Sequence, residues 1–184
     1  MPTDFSLAQR IIAALKRRQL RLVCAESCTA GGVAAALASV PGASQVHCGG
    51  FVVYRNASKQ DWLGVSQELL DDPQKGSVSP AASFSIAMGA LRMTPEADLA
   101  LGITGDVGPG APRETDGTCY LSLVEASAAE TSEETAARSE KSLTVCLSAG
   151  EPRDADDIEA RVARLQEATN AALGLLWNYL AEEK

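Results

Sequence analysis

The sequence predicts an α/β fold, a three-layer α/β/α sandwich around a mixed, mostly parallel sheet of about five strands. Short apolar runs of strand length alternate along the chain with segments whose apolar residues repeat at helical spacing. Glycine and proline cluster at the ends of these segments. With 184 residues, 46% of them hydrophobic, the chain has material for one sizeable core, and a single domain over 1–184 is expected.

The elements follow in order. Leu7, Ile11 and Leu15, flanked by Ala8 and Ile12, mark a first helix ending near Arg18, with Thr3 or Asp4 as its cap. Residues 20–25 form a strand, and Thr29-Ala-Gly-Gly opens an alanine-rich helix that stops at Pro41-Gly42. A second strand over 46–54 leads into a short helix from Asn56 to Leu63, which Gly64 can end in the left-handed conformation. Ser79-Pro80 combines a capping hydroxyl with a first-turn proline, so a helix is expected from there to about Met93. Leu99 to Ile103 reads as a buried strand, and the glycine- and proline-rich segment 104–112 as a loop beyond its carboxyl end, where sites are commonly built. Strands over 118–124 and 142–147, the pair contributing an antiparallel strand, flank an exposed Glu, Ser, Thr and Ala-rich stretch. A long final helix carries Ile158, Val162, Leu165, Ala172, Leu176 and Leu180 as its apolar stripe, with Asp154, Asp156 and Asp157 at its positive end.

Composition excludes several functions. A net charge of -8 opposes attraction to phosphate backbones and anionic lipid, so no nucleic-acid or membrane partner is expected. No apolar stretch approaches the roughly 20 residues of a membrane helix, and the amino terminus lacks a signal-peptide core. Five scattered cysteines suit reduced, mostly buried thiols, and a cytoplasmic location is expected. The single histidine, His47, opens an apolar run and reads as structural, which disfavours a serine–histidine triad or a multi-histidine metal site. No metal or cofactor is expected.

Three segments carry chemistry. Ala25-Glu-Ser-Cys-Thr-Ala-Gly-Gly32 lies between a strand and a helix, where a serine can be presented to substrate while free backbone amides stabilise an oxyanion. Equally, Ser27 and Cys28 can simply fill the turn while Thr29 caps the helix. Tyr54-Arg-Asn-Ala-Ser-Lys59 places a tyrosine at a strand end and a lysine on the following helix. A lysine can serve as base in place of histidine if burial or a neighbouring cation lowers its pKa, although most lysines are solvated. Gly102-Ile-Thr-Gly105 with Gly108-Pro-Gly110 permits close backbone approach by a ligand, but no Gly-Lys-Ser/Thr follows, which argues against an NTPase phosphate loop.

Together with Val40-Pro-Gly-Ala-Ser44, Gly49-Gly50, Leu63-Gly-Val65 and Gly76-Ser-Val-Ser79, these segments resemble, in order and over nearly the whole chain, the CinA carboxy-terminal domain family and its stand-alone nicotinamide-nucleotide amidases. The resemblance implies an amidohydrolase of the α/β/α fold that converts nicotinamide mononucleotide and water to nicotinate mononucleotide and ammonia. By the same resemblance Ser27 attacks the carboxamide carbon, Lys59 takes its proton and returns it to ammonia, and Tyr54 supports the transfer. Thr29, Gly31, Gly32, Gly42, Ser44, Thr104 and Gly105 match positions expected near this small nucleotide substrate. Two departures stand out. The family's threonine-proline-glutamate-lysine stretch is shortened to Ala111-Pro-Arg-Glu-Thr-Asp116, and Ala155 and Glu159 stand around Ile158 in place of an arginine pattern, leaving Arg153 as the candidate phosphate ligand. Alternatives are a catalytically altered relative that binds a nucleotide or protein partner, or a serine–lysine hydrolase of another small amide. The apolar final helix, with Trp177 and Tyr179, also suits a homo-oligomer interface.

Overall fold

Strand β1 (Leu22–Glu26) is buried along its entire length. In the computed structural model, which describes residues 2–108, 111–112, 115–126, 137–148 and 157–182, this strand lies inside a five-stranded sheet. The others are β2 (His47–Val52), β3 (Leu99–Asp106), β4 (Thr118–Ala126) and β5 (Ala137–Cys146), and the order is β2-β1-β3-β4-β5. β1 pairs in parallel with β2 and β3, whereas β4 is antiparallel to both β3 and β5. The sheet is therefore mixed around a parallel three-strand core. The carboxyl ends of β1, β2 and β3 share one edge.

Helices cover both faces. Ile11, Leu15 and Ala8 of α1 (Phe5–Arg18), Val33 and Leu37 of α2 (Gly32–Ala38), and Ala172, Leu173 and Leu176 of α6 (Ile158–Ala181) pack with Leu22, Cys24, Leu101 and Leu121 on one face. On the other face Leu63 of α3 (Asn56–Leu63), Leu70 of α4 (Gln67–Asp71), and Ile86, Ala87 and Ala90 of α5 (Pro80–Met93) pack with Val23, Ala25, Ala100 and Val124. The alternation of strand residues between the two clusters gives the three layers. Among the described residues, no helix is long and apolar enough to cross a membrane.

Local signals placed most elements. Asp4 accepts from the Leu7 amide at the start of α1, Ser79 accepts from the Ala82 amide ahead of Pro80, and Gly64 ends α3 at φ 66°. Three expectations are corrected. α2 begins at Gly32, because residues 29–31 form the turn before it. β3 runs to Asp106, because Thr118 and Cys119 of β4 pair with Asp106 and Gly105. The apolar stripe of α6 holds only in its later half: Ile158 is 74% exposed and Val162 also faces solvent, while Ala160, Arg164 and Ala168 are buried.

Gly102 sets the distance between α5 and the sheet. A Cβ there would lie 2.0 Å from the Ser83 carbonyl oxygen and 3.0 Å from the Ala87 side chain. Both neighbours belong to a packed helix, so Gly102→Ala should lower unfolding free energy by about 2 kcal/mol through overpacking. Urea unfolding checks this; an unchanged midpoint would show that α5 lifts freely.

Candidate active site

A cleft of about 280 Å³ opens at the shared carboxyl edge of the parallel strands, lined by Ser27, Cys28, Tyr54, Lys59, Gly105 and Arg161 among others. Open α/β sheets commonly bind ligands there. Ser27 follows β1 directly, and its amide donates to the Ile103 carbonyl at 2.9 Å while the Val53 amide donates to the Glu26 carbonyl at 2.8 Å. The serine is thus tied to both neighbouring strand ends.

The turn that carries Ser27 is organised by Glu26. This carboxylate, 1% exposed, accepts from the Thr29 hydroxyl at 2.7 Å and from the amides of Gly31, Val33 and Ala34 at 3.1, 3.1 and 2.8 Å. Gly31 has no side chain with which to cap α2, so Glu26 supplies the missing acceptor from the preceding strand. Ala30 sits at φ 51°, a left-handed conformation unfavourable for a residue with a Cβ, and Gly31 follows at φ 95°. Backbone strain is therefore held beside Ser27.

Lys59 projects from α3 and is only 3% exposed. Burial pushes its pKa down, and a nearby negative charge on Cys28 would act in the opposite sense. No hydrogen bond or ion pair joins its ammonium to a described residue. An amine so placed has a larger neutral fraction than a solvated lysine. Tyr54, 53% exposed at the end of the β2 segment, accepts a hydrogen bond on Oη from Arg161 at 2.6 Å. Arg161 also donates to the Gly108 carbonyl, and Arg164, one turn further along α6, holds Asp116 at 2.8 Å. These two arginines anchor both ends of the loop that follows β3.

Ser27, Tyr54, Lys59 and Gly105 are brought together in the cleft. The other expected ligand positions are not. Thr29 is engaged with Glu26, a Cβ on Gly32 would lie 2.7 Å from the Thr169 hydroxyl of α6, and Thr104 donates to the Ser77 carbonyl at 2.7 Å. Gly31 turns the chain into α2 and does not line the cleft. Gly42 and Ser44 precede β2 and so lie at the opposite edge of the sheet, where a Cβ on Gly42 would meet the Lys16 ammonium. Arg153 lies outside the described residues. Sequence reasoning missed Cys28, Asn56, Asp106 and Arg161 as lining residues. Arg161 is legible only in hindsight, three positions after Ile158 on the side of α6 that meets the loop. His47 lies half-buried at the amino end of β2, far from this edge, and burial lowers its pKa. Among the described residues, no cluster of His, Cys, Asp and Glu could hold a metal ion.

The fold and cleft define an α/β protein with a serine and a desolvated lysine at the carboxyl edge of a mixed sheet. The model of the CinA C-terminal domain family matches residues 4–148, and the chain belongs to that family. It is similar to a CinA-like protein of Syntrophotalea carbinolica, 42% identical over 120 residues that cover 64% of this chain and 28% of that protein. A CinA-like protein of Prochlorococcus marinus is 47% identical over 107 residues, 58% of this chain and 24% of that protein. The chain thus spans about a quarter of the length of these relatives. Among solved structures, the competence/damage inducible protein CihA from Agrobacterium tumefaciens is 32% identical with a TM-score of 0.77, covering 99% of this chain and 98% of that one. The competence damage-inducible protein A from Klebsiella pneumoniae shares the fold with a TM-score of 0.80 at 24% identity, over 99% of both chains.

Proposed function

We propose that this domain is an amidohydrolase that releases ammonia from nicotinamide mononucleotide through Ser27 and Lys59. The observation that carries the reading is the buried lysine, free of a carboxylate partner among the described residues, in the same cleft as a serine held at a strand end. Ser27 Oγ attacks the carboxamide carbon as its proton passes to neutral Lys59, and the ammonium then protonates the departing amine. Water, deprotonated by Lys59, hydrolyses the resulting ester to carboxylate. The amide of Cys28, a residue that lines the cleft, takes no acceptor among the described residues, which leaves it as a donor for the tetrahedral oxyanion. Tyr54 supports the proton transfer at the mouth of the cleft.

Arg161 takes the part first sought in Arg153. Its guanidinium lines the cleft and suits an anionic phosphate better than the acidic chain as a whole does. Arg161→Ala should raise KM for the nucleotide about tenfold with a smaller change in kcat, and Arg161→Lys should recover only part of the loss; steady-state kinetics check this. An unchanged KM would remove Arg161 from substrate recognition.

Ammonia release from nicotinamide mononucleotide, compared with free nicotinamide and other small amides, tests the substrate. Preference for the nucleotide supports the reading. Faster release from a different amide would keep the chemistry and replace the substrate, while no release from any amide would favour a binding role.

A further inference from the structure

Two thiols meet beneath the floor of the cleft. Cys28 follows Ser27 in the turn after β1 and lines the cleft, while Cys119 is fully buried in β4. Their sulfurs lie 3.7 Å apart although 91 residues separate them in sequence. Gly105 makes this meeting possible, since a Cβ there would lie 2.4 Å from the Cys119 sulfur. The remaining cysteines differ: Cys24 is buried, Cys48 half-buried and Cys146 exposed. Only Cys28 joins a neighbouring thiol to the cleft through which a small oxidant can enter.

From this geometry we propose that Cys28 and Cys119 form a redox modification site, joined by hydrogen peroxide into a reversible disulfide that displaces Ser27. The Cys28 sulfur attacks one oxygen of hydrogen peroxide, the O–O bond breaks, and the sulfur becomes a sulfenic acid as the released hydroxide takes the thiol's proton and leaves as water. Cys119 then attacks that sulfur. The S–S bond forms, the S–O bond breaks, and the hydroxyl leaves as a second water with the Cys119 proton. Two thiols are oxidised and one hydrogen peroxide is reduced to two waters. A dithiol reverses the step by exchange.

Closing the bond brings the sulfurs from 3.7 Å to about 2.05 Å. β4 resists movement because Cys119 is flanked by Gly105 of β3 and Val145 of β5 in the ladder. The shift therefore falls on the turn that carries Ser27. A displacement of about 1 Å at a reacting group costs on the order of a hundredfold in rate. This consequence rests on Ser27 being the nucleophile, whereas the disulfide itself does not.

The whole chain is treated with hydrogen peroxide, alkylated, digested without reductant and mapped by mass spectrometry, with ammonia release measured in parallel. A peptide pair linked through Cys28 rather than Cys24 to Cys119 is expected, with release falling about a hundredfold and returning on addition of dithiothreitol. Cys119→Ser should keep the untreated activity and lose both the link and the dithiothreitol-reversible inhibition. Oxidation without a Cys28–Cys119 link, or a linked protein working at full rate, overturns the proposal. If the untreated protein releases no ammonia, the serine–lysine reading fails, and the peptide map still decides whether the modification site exists.

Discussion

Lys59→Met should reduce ammonia release about a thousandfold and at the same time make the protein harder to unfold. The first effect follows from removing the group that takes the Ser27 proton, since a positioned base contributes on the order of 10² to 10⁴ in rate. The second follows from burial. Lys59 is 3% exposed and its pKa in the folded chain lies below the ordinary 10.5, so the native state disfavours the ammonium that the unfolded chain carries. Below the lowered folded pKa this destabilisation is fully present. It fades as pH rises through that pKa and vanishes above about 10.5. Methionine fills similar volume without a charge, so the variant should gain on the order of 1 kcal/mol at neutral pH, with the advantage shrinking toward alkaline pH. Urea unfolding of both proteins across pH measures the difference. In the unsubstituted protein activity should rise with pH as Lys59 loses its proton; a flat profile, or a methionine variant of full activity, would contradict a lysine base.

Glu26→Ala should cost about 3 kcal/mol of stability, because it removes the acceptor for one hydroxyl and three amides at once. Gly31 and Ala34 are partly exposed, and water can replace the carboxylate there. The Thr29 hydroxyl and the Val33 amide are buried, and each donor left without a partner costs about 1–3 kcal/mol. The same turn presents Ser27, so activity should fall about a hundredfold even in the fraction that stays folded. Glu26→Gln keeps one acceptor oxygen but brings an amino group against backbone donors, so it should lie between the two. Thermal unfolding with parallel kinetics checks the order. A stable, active alanine variant would mean that the turn is held by its other contacts.

The fold was legible wherever a local rule is strong. Ser79-Pro80 fixed the start of α5, Gly64 the end of α3, and the apolar residues Leu22, Val23, Cys24 and Ala25 of β1 its buried place in the sheet. Missing were elements that tertiary pairing creates. α4 spans five residues, too few to show a period, although Ser66 caps it from the side chain. β5 begins at Ala137 and carries Arg138, Glu140 and Lys141, a polar run made a strand by pairing with β4. The start of α6 misled because Ile158 and Val162 look like core, while the buried position goes to Arg164, which holds Asp116.

The site divides along the same line. Ser27, Tyr54 and Lys59 came from separate motifs and meet because β1 and β2 are parallel neighbours whose carboxyl ends share an edge. Gly42 and Ser44 belong to the connection that returns to the start of β2, so a parallel pairing sends them to the other edge. Arg161 could not be read from sequence, because an arginine on a helix is ordinarily solvated; the loop after β3 gives it the Gly108 carbonyl and Tyr54 as partners.

The most direct test is ammonia release from nicotinamide mononucleotide by the protein and by Ser27→Ala, both shown to be equally folded by their unfolding midpoints. Release by the unsubstituted protein that drops by about 10⁴ or more in the variant is the predicted result. Equal release from both would place the chemistry elsewhere and contradict Ser27 as the nucleophile.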